Sequence, residues 1–413
     1  MKKGFFVTFF TLFLVFAFLT GSAFCSAAKQ PKEIKIGMSL AITGFFSTEW
    51  GQPAVKYMNA LESLINEQGG IYVKEYGTRI PVKFIIYDDG SSPDRSVELY
   101  EKMATADKVH FFLGPASSPI LIKASTVAEK YGIPMVGIEG NSPYIFARGF
   151  KWLVGADAPA PDWPISYYNM LKHLMDNKKI PKLNTVAIIQ QDNPHTLDLG
   201  WGAEHHAKIA GLKVVSNEKV PMRMADFSAN IVKLKRAKPD VVYVATFNNL
   251  GATLAKQAHE AGFKPFDLHI PHCTLSLPWY KMVGSSIADG LTGMSTTAPY
   301  NKGNLKMFHE SLNRCGFNLY QFGLASTRFI AAEIYVKAIE KAGTLDRAKV
   351  MEAIKGLRYE TLYGDFQLVF GKKVKGLTIN GMSNKPPYMA QWQKGEIKIL
   401  WPMDVADGKF IKR

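Results

Sequence analysis

Residues 82–138 read VKFIIYDDGSSPDRSVELYEKMATADKVHFFLGPASSPILIKASTVAEKYGIPMVGI. The β-branched and aromatic run at 82–87 precedes a helical segment from Pro93 to about Ala106. The run at 109–113 precedes another from about Ser118 to Tyr131, which Gly132 stops before a further apolar run at 134–138. Strands that alternate with helices of this length predict a parallel sheet covered on both faces, because parallel neighbours must be joined by a crossover.

The same rhythm extends both ways. Upstream, 34–40 reads as a strand and 53–68 as a helix stopped by Gly69-Gly70. Downstream, a Pro-rich stretch from Gly155 to Pro164 interrupts the pattern, which restarts with strands at 185–190, 213–218, 240–246 and 267–271. Helices around 197–210, 227–236 and 249–261 separate them. Two α/β halves of similar plan are therefore expected in one chain. Past Leu277 come helices near 304–313, 322–341 and 347–355. Short strands follow at 366–370, 377–379, 387–393 and 397–400, with Lys394-Gly395 as a hairpin turn. These segments complete the two halves, so the chain crosses between them more than once.

The chain has 413 residues, 47% hydrophobic and 21% charged, a globular composition that excludes a disordered chain. Lys2 and Lys3 precede a Phe-rich apolar run at 5–19, shorter than the roughly 20 residues a membrane span needs. Ser26 and Ala28 stand where a signal peptidase requires small residues, so 1–28 reads as a signal peptide cleaved near Ala28. Export to the periplasm leaves Cys273 and Cys315, for which one disulfide and two buried thiols are both open readings. The net charge of +15 is scattered, without the basic clusters and interleaved aromatics of a nucleic-acid site. No nucleic-acid partner is expected.

In open α/β sheets ligands bind beyond the carboxyl ends of the strands. That rule selects loops 41–51, 88–89, 114–118 and 139–142 in the first half. In the second it selects 191–195, 246–249 and 272–274. They carry hydroxyl, amide and aromatic groups at helix starts, where unpaired N–H groups welcome an anion. No G-x-S-x-G, G-x-x-x-x-G-K-[ST], H-E-x-x-H or G-x-G-x-x-G motif occurs, so no catalytic residue, cofactor or metal is expected and the chain is not read as an enzyme. Glu204-His205-His206 reads as surface residues, since neighbours on a helix point about 100° apart. Asp88-Asp89 reads as a loop or helix cap.

At these loops the sequence resembles the type I periplasmic solute-binding proteins of ABC transporters, specifically the branched-chain amino acid-binding family. The resemblance rests on Ile34-Lys-Ile-Gly with Leu40-Ala-Ile-Thr-Gly44 and Trp50-Gly51, and on Tyr87-Asp-Asp89. It rests also on Leu113-Gly-Pro-Ala-Ser-Ser118 with Gly132-Ile-Pro-Met135, and on Pro239-Asp-Val-Val-Tyr243 with Gln257-Ala-His-Glu-Ala-Gly262. It implies two Rossmann-like lobes with parallel sheets, joined by three hinge crossovers and closing on a ligand. One lobe would hold 29–153 and 282–358, the other 154–281 and 359–413.

Family ligand positions fall on particular residues here. Trp50 stands where an aromatic covers the ligand's apolar end, and Ser117 and Ser118 where a hydroxyl and a backbone N–H hold an α-carboxylate. Asn141 stands where a Thr holds the head group, and Glu139 on a pocket-lining position. The second lobe departs from the pattern. His195 replaces a tyrosine that presses on the ligand, while Thr246 and Phe247 stand where another aromatic contact is common, with Asn248 adjoining. His272 stands where an acid clamps the α-ammonium. A neutral imidazole is no counter-ion, so either Glu139 supplies the clamp or the ligand lacks an ammonium group.

The resemblance therefore implies a monomeric binding protein that captures an amino acid or organic acid and delivers it to a permease in the inner membrane. A sensory receptor domain on the same fold is the alternative. Sensors usually continue into a membrane span and a signalling region, and none follows Arg413 in this sequence.

Overall fold

The computed structural model describes residues 29–48, 51–272, 276–296, 303–317 and 324–413. The expected signal peptide, Trp50 and Cys273 lie outside the described residues.

Strand Ile34–Leu40 organises the first lobe. Ile34, Ile36, Met38 and Leu40 are buried on one of its faces. On the other, a Cβ on Gly37 would meet Sδ of Met103 at 2.5 Å, so helix Pro93–Thr105 packs directly on the strand backbone. Burial on both faces is the mark of a parallel sheet covered by crossover helices. Ser92 starts that helix, accepting a bond from the Arg95 N–H at 3.3 Å, with Pro93 in the first turn where its missing N–H costs nothing.

The strand pairs in parallel with Val82–Asp88 on one side, Ile34 opposite Val82 through Leu40 opposite Asp88, and with Phe111–Leu113 on the other. Met135–Gly137 and Leu153–Gly155 extend the sheet in parallel. Hairpin strands Gly364–Val374 and Leu377–Ser383, with Arg358–Thr361 beyond, complete an eight-stranded sheet.

In the second lobe Thr185–Gln191 lies between Lys213–Val220 and Val241–Ala245, all parallel. Asp267–His269 and Thr292–Ser295 follow, and the antiparallel strands Tyr388–Gln393 and Glu396–Trp401 close a seven-stranded sheet. Lys394 and Gly395 turn that hairpin, both at positive φ. The molecule is thus a two-lobed α/β fold in which the chain passes between sheets three times. Those passages follow Gly155, Ser295 and Ser383.

The sheets divide the chain at different points from those expected. Thr292–Ser295, expected in the first lobe, pairs in the second sheet, and the hairpin 364–383, expected in the second, pairs with Leu153–Gly155 in the first. Neither strand of that hairpin carries a signal of which sheet it joins, because edge pairing is decided by tertiary packing. The Pro-rich pause also conceals a helix, Trp163–Asp176, whose Tyr167, Tyr168, Met170 and Leu171 are buried. Pro164 sits in its first turn, so the prolines that read as an interruption are a helix start.

Helix Pro194–Ile209 leans on the first crossover through Gly202, where a Cβ would run into the Pro161 carbonyl oxygen. A mid-helix glycine normally costs about 1 kcal/mol against alanine. Here the clash with backbone outweighs that gain, so Gly202→Ala is expected to lower stability by about 1–3 kcal/mol. Thermal unfolding measures it, and a melting temperature at or above wild type would show that the crossover yields.

Candidate functional site

Each sheet reverses its strand order at the strand next to one edge, Ile34–Leu40 in the first and Thr185–Gln191 in the second, and the loops at those two points face one another across the cleft. In the first lobe they follow Ile34–Leu40 and Phe111–Leu113. In the second they follow Thr185–Gln191 and Val241–Ala245.

In the loops that carry Ser118 and Asn141, two residues take positive φ without being glycine: Ser117 at 73° and Glu139 at 57°. Such backbone costs of order 1–3 kcal/mol and persists only where the surroundings enforce it. Ser117 precedes helix Ser118–Tyr131 and is 1% exposed, and its Oγ has no hydrogen-bond partner among the described residues. It therefore does not cap the helix. Oγ of Ser118 accepts from the Ser142 N–H at 3.2 Å, tying together the two loops of this lobe.

Glu139 is held from three directions. Its N–H donates to Oδ2 of Asp157 at 3.0 Å. Its Oε1 accepts from Thr327 Oγ1 at 2.7 Å and pairs with Nη1 of Arg328 at 2.5 Å. The Arg328 side chain is 0% exposed and that of Glu139 6%. This ion pair balances the Glu139 charge within the protein. Burial, with the Glu139 charge adding, pushes Asp157 up to about 7.

Across the cleft, Asn193 caps helix Pro194–Ile209, accepting from the His195 N–H at 3.0 Å. That places the His195 ring with Nδ1 2.7 Å from the side-chain amide of Asn141 and Nε2 3.3 Å from Nε2 of His272. Nδ1 of His272 lies 2.8 Å from the backbone oxygen of Thr246. Burial pushes His272 down to about 4 and, with the neighbouring imidazole adding, holds His195 well below its ordinary value. Both rings are neutral at pH 7. The Thr246 hydroxyl is buried without a partner among the described residues. Phe247 stacks on His195 with centroids 5.7 Å apart, and Asn248 opens the helix behind it.

The structure thus brings together Ser117, Ser118, Glu139, Asn141, His195, Thr246, Phe247 and His272. It adds residues the sequence did not mark. The Trp163 ring lies 5.2 Å from His195 and 6.0 Å from His272, and Phe46 meets Phe247 edge-on at 5.4 Å. Asp157 and Arg328 form the polar floor with Glu139. Of these, Pro-flanked Trp163 carries a signal, since an aromatic inside a hinge segment borders the cleft by construction.

The lobes are closed on one another. Besides Asn141 with His195, the Ser142 hydroxyl donates to Oδ2 of Asp198 at 2.5 Å, and Lys375 pairs with Oδ1 of the same carboxylate at 2.8 Å. Asp198 is 1% exposed.

Elsewhere, Asp88 accepts from the N–H groups of Ile42, Thr43 and Gly90, shaping the loop. Asp89 accepts from Ser39 and from the Ser91 N–H. His205 stacks on Trp201 at 4.9 Å while Glu204 pairs with Lys208. Cys315 is a buried free thiol against the Ser311 oxygen.

Two hinged α/β lobes that close over a cleft of hydroxyl, amide and aromatic groups define a two-lobed solute-binding protein. The family model described as "Periplasmic binding protein" matches residues 33–396, and the chain belongs to that family. It is 23% identical over 389 residues to the Leu/Ile/Val-binding protein homolog 7 of Brucella abortus (strain 2308), covering 91% of this chain and 93% of the relative. Its fold is similar to that of the leucine-binding protein LivK of Thermotoga maritima MSB8. The TM-score is 0.71 at 18% identity, over 89% of this chain and 97% of that one. It is similar also to an ABC-transporter solute-binding protein of R. palustris in complex with 4-hydroxybenzoate. There the TM-score is 0.71 at 17% identity, over 92% and 96%.

The buried acid gives a signed prediction. Asp157 holds its proton in the fold up to about 7, while its ordinary value is 3.8. Between those values the unfolded chain loses the proton first, so this residue's contribution falls as pH rises. The stability of wild type relative to Asp157→Asn is therefore expected to drop by a few kcal/mol between pH 4 and pH 7, at most about 1.4 kcal/mol for each pH step of one. Urea unfolding of both proteins across that range reads the difference, and a constant or rising difference would contradict a buried, protonated Asp157.

Proposed function

We propose that the chain is an exported, periplasmic solute-binding protein that captures a small carboxylate without an ammonium group and delivers it to an ABC-transporter permease. The signal-like segment at 1–28 supports export, and family membership supports capture without catalysis. The observation that carries the choice of solute is the charge state of the cleft. Glu139 is committed to Arg328, Asp157 holds its proton up to about 7, and His195 and His272 are neutral. Burying an ammonium there without a counter-ion would cost far more than the hydrogen bonds return.

A carboxylate meets a better setting. Ser117, Ser118 and the start of helix Ser118–Tyr131 offer hydroxyls and the positive end of a helix dipole. Phe46, Trp163 and Phe247 line the rest with aromatic surface, which suits a planar or apolar body. The relatives named for leucine, isoleucine and valine and the structure holding 4-hydroxybenzoate bracket this choice, and the missing acid at His272 favours the second kind of solute.

Protein unfolded and refolded to strip carried-over solute is tested by thermal shift against α-amino acids, dicarboxylates and aromatic acids. Stabilisation by acids lacking an ammonium is expected, and a response confined to α-amino acids would overturn the reading. For any acid that stabilises, Ser118→Ala is expected to cost about 1–3 kcal/mol of binding by calorimetry. An unchanged affinity would remove Ser118 from the site.

A further inference from the structure

The cleft carries a hydrogen-bond chain whose direction follows from one atom. A backbone carbonyl only accepts, so Nδ1 of His272, 2.8 Å from the Thr246 oxygen, carries the proton and leaves Nε2 bare. Nε2 of His195 lies 3.3 Å from that bare nitrogen. Between two neutral rings one proton must stand at this contact, and only His195 can supply it. Nδ1 of His195 is then an acceptor facing the Asn141 amide at 2.7 Å. An amide donates only through nitrogen, and its two ends occupy equivalent positions, so Nδ2 is the end that meets the ring. The other end of the Asn141 amide, buried without a partner among the described residues, is therefore the oxygen.

We propose that Thr246, His272, His195 and Asn141 form a one-way relay that turns Oδ1 of Asn141 toward the solute, so that the cleft selects a carboxylate bearing an O–H or amide N–H donor. His272 and His195 act here as positioning residues, through Asn141. The inference rests on the proposed function, in which the cleft is the solute site. A site with a buried acceptor discriminates strongly against an analogue that leaves it unpaired. The unpartnered hydroxyls of Ser117 and Thr246 can turn to suit either polarity, whereas Asn141 cannot.

Two measurements test this. Long-range 1H–15N correlation spectra of histidine-labelled, solute-stripped protein at pH 7.5 read the tautomers, with His195→Phe and His272→Phe giving the assignment. Because His195, His272 and Thr246 belong to one lobe, the result does not depend on closure. His272 protonated at Nδ1 and His195 at Nε2, both neutral, is the expected result. Nδ1 protonation of both rings, Nε2 protonation of His272, or an imidazolium on either overturns the relay.

The second measurement compares thermal shifts within matched pairs, mandelate with phenylacetate and 4-hydroxybenzoate with benzoate. At least one hydroxylated member is expected to bind ten-fold or more tightly than its partner, with the preference lost in Asn141→Leu. Equal non-zero stabilisation within both pairs overturns the selectivity and leaves carboxylate capture standing. No stabilisation by any acid in the wider panel overturns that capture and the selectivity with it.

Discussion

The buried pair of Glu139 and Arg328 is the constraint around which the cleft is built. Taking both charges out of water costs several kcal/mol per ion, and their attraction repays this only with close geometry and further hydrogen bonds. Thr327 and the Asp157 contact to the Glu139 backbone supply those bonds. The strained φ of Glu139 is held by the same set. Arg328 comes from helix Ala325–Ala342, far along the chain, so the pair also fastens the returning segment to the strand end that carries Asn141.

From that fixed point the remaining features follow by short steps. Asn141 lies two residues beyond Glu139 and reaches His195; Ser142 lies three beyond and reaches Asp198. The first-lobe loop thus meets the second lobe through amide and hydroxyl groups rather than through charge. With its ion pair internally balanced and its histidines neutral, the cleft is polar yet nearly uncharged. Its discrimination must come from hydrogen-bond direction and aromatic shape, which are short-ranged.

Much of the fold was legible because it is local. Alternating β-branched runs and helices predict two parallel sheets, and the rule of strand-end loops then singles out Ser117, Ser118, His195 and Thr246 before any side chain is placed. What stayed hidden is non-local. Helix Ala325–Ala342 is buried nearly all round, so Arg328 has no amphipathic pattern to mark it as the partner of Glu139. The hairpin 364–383 reads equally well as an edge of either sheet. Trp163 was obscured because prolines at a helix start and prolines in a linker look alike in sequence.

The bond pairs that span the lobes have a consequence for signalling. Asp198 with the Ser142 hydroxyl and Lys375 contributes to closure through groups outside those assigned to the solute. Contacts of this kind raise the closed fraction of the empty protein and strengthen apparent affinity for every solute by the same factor. They add nothing to the choice between solutes. An empty molecule that is often shut also presents a partner with a false report of cargo. The depth of this latch therefore sets a trade between scavenging at low concentration and fidelity of the message passed on.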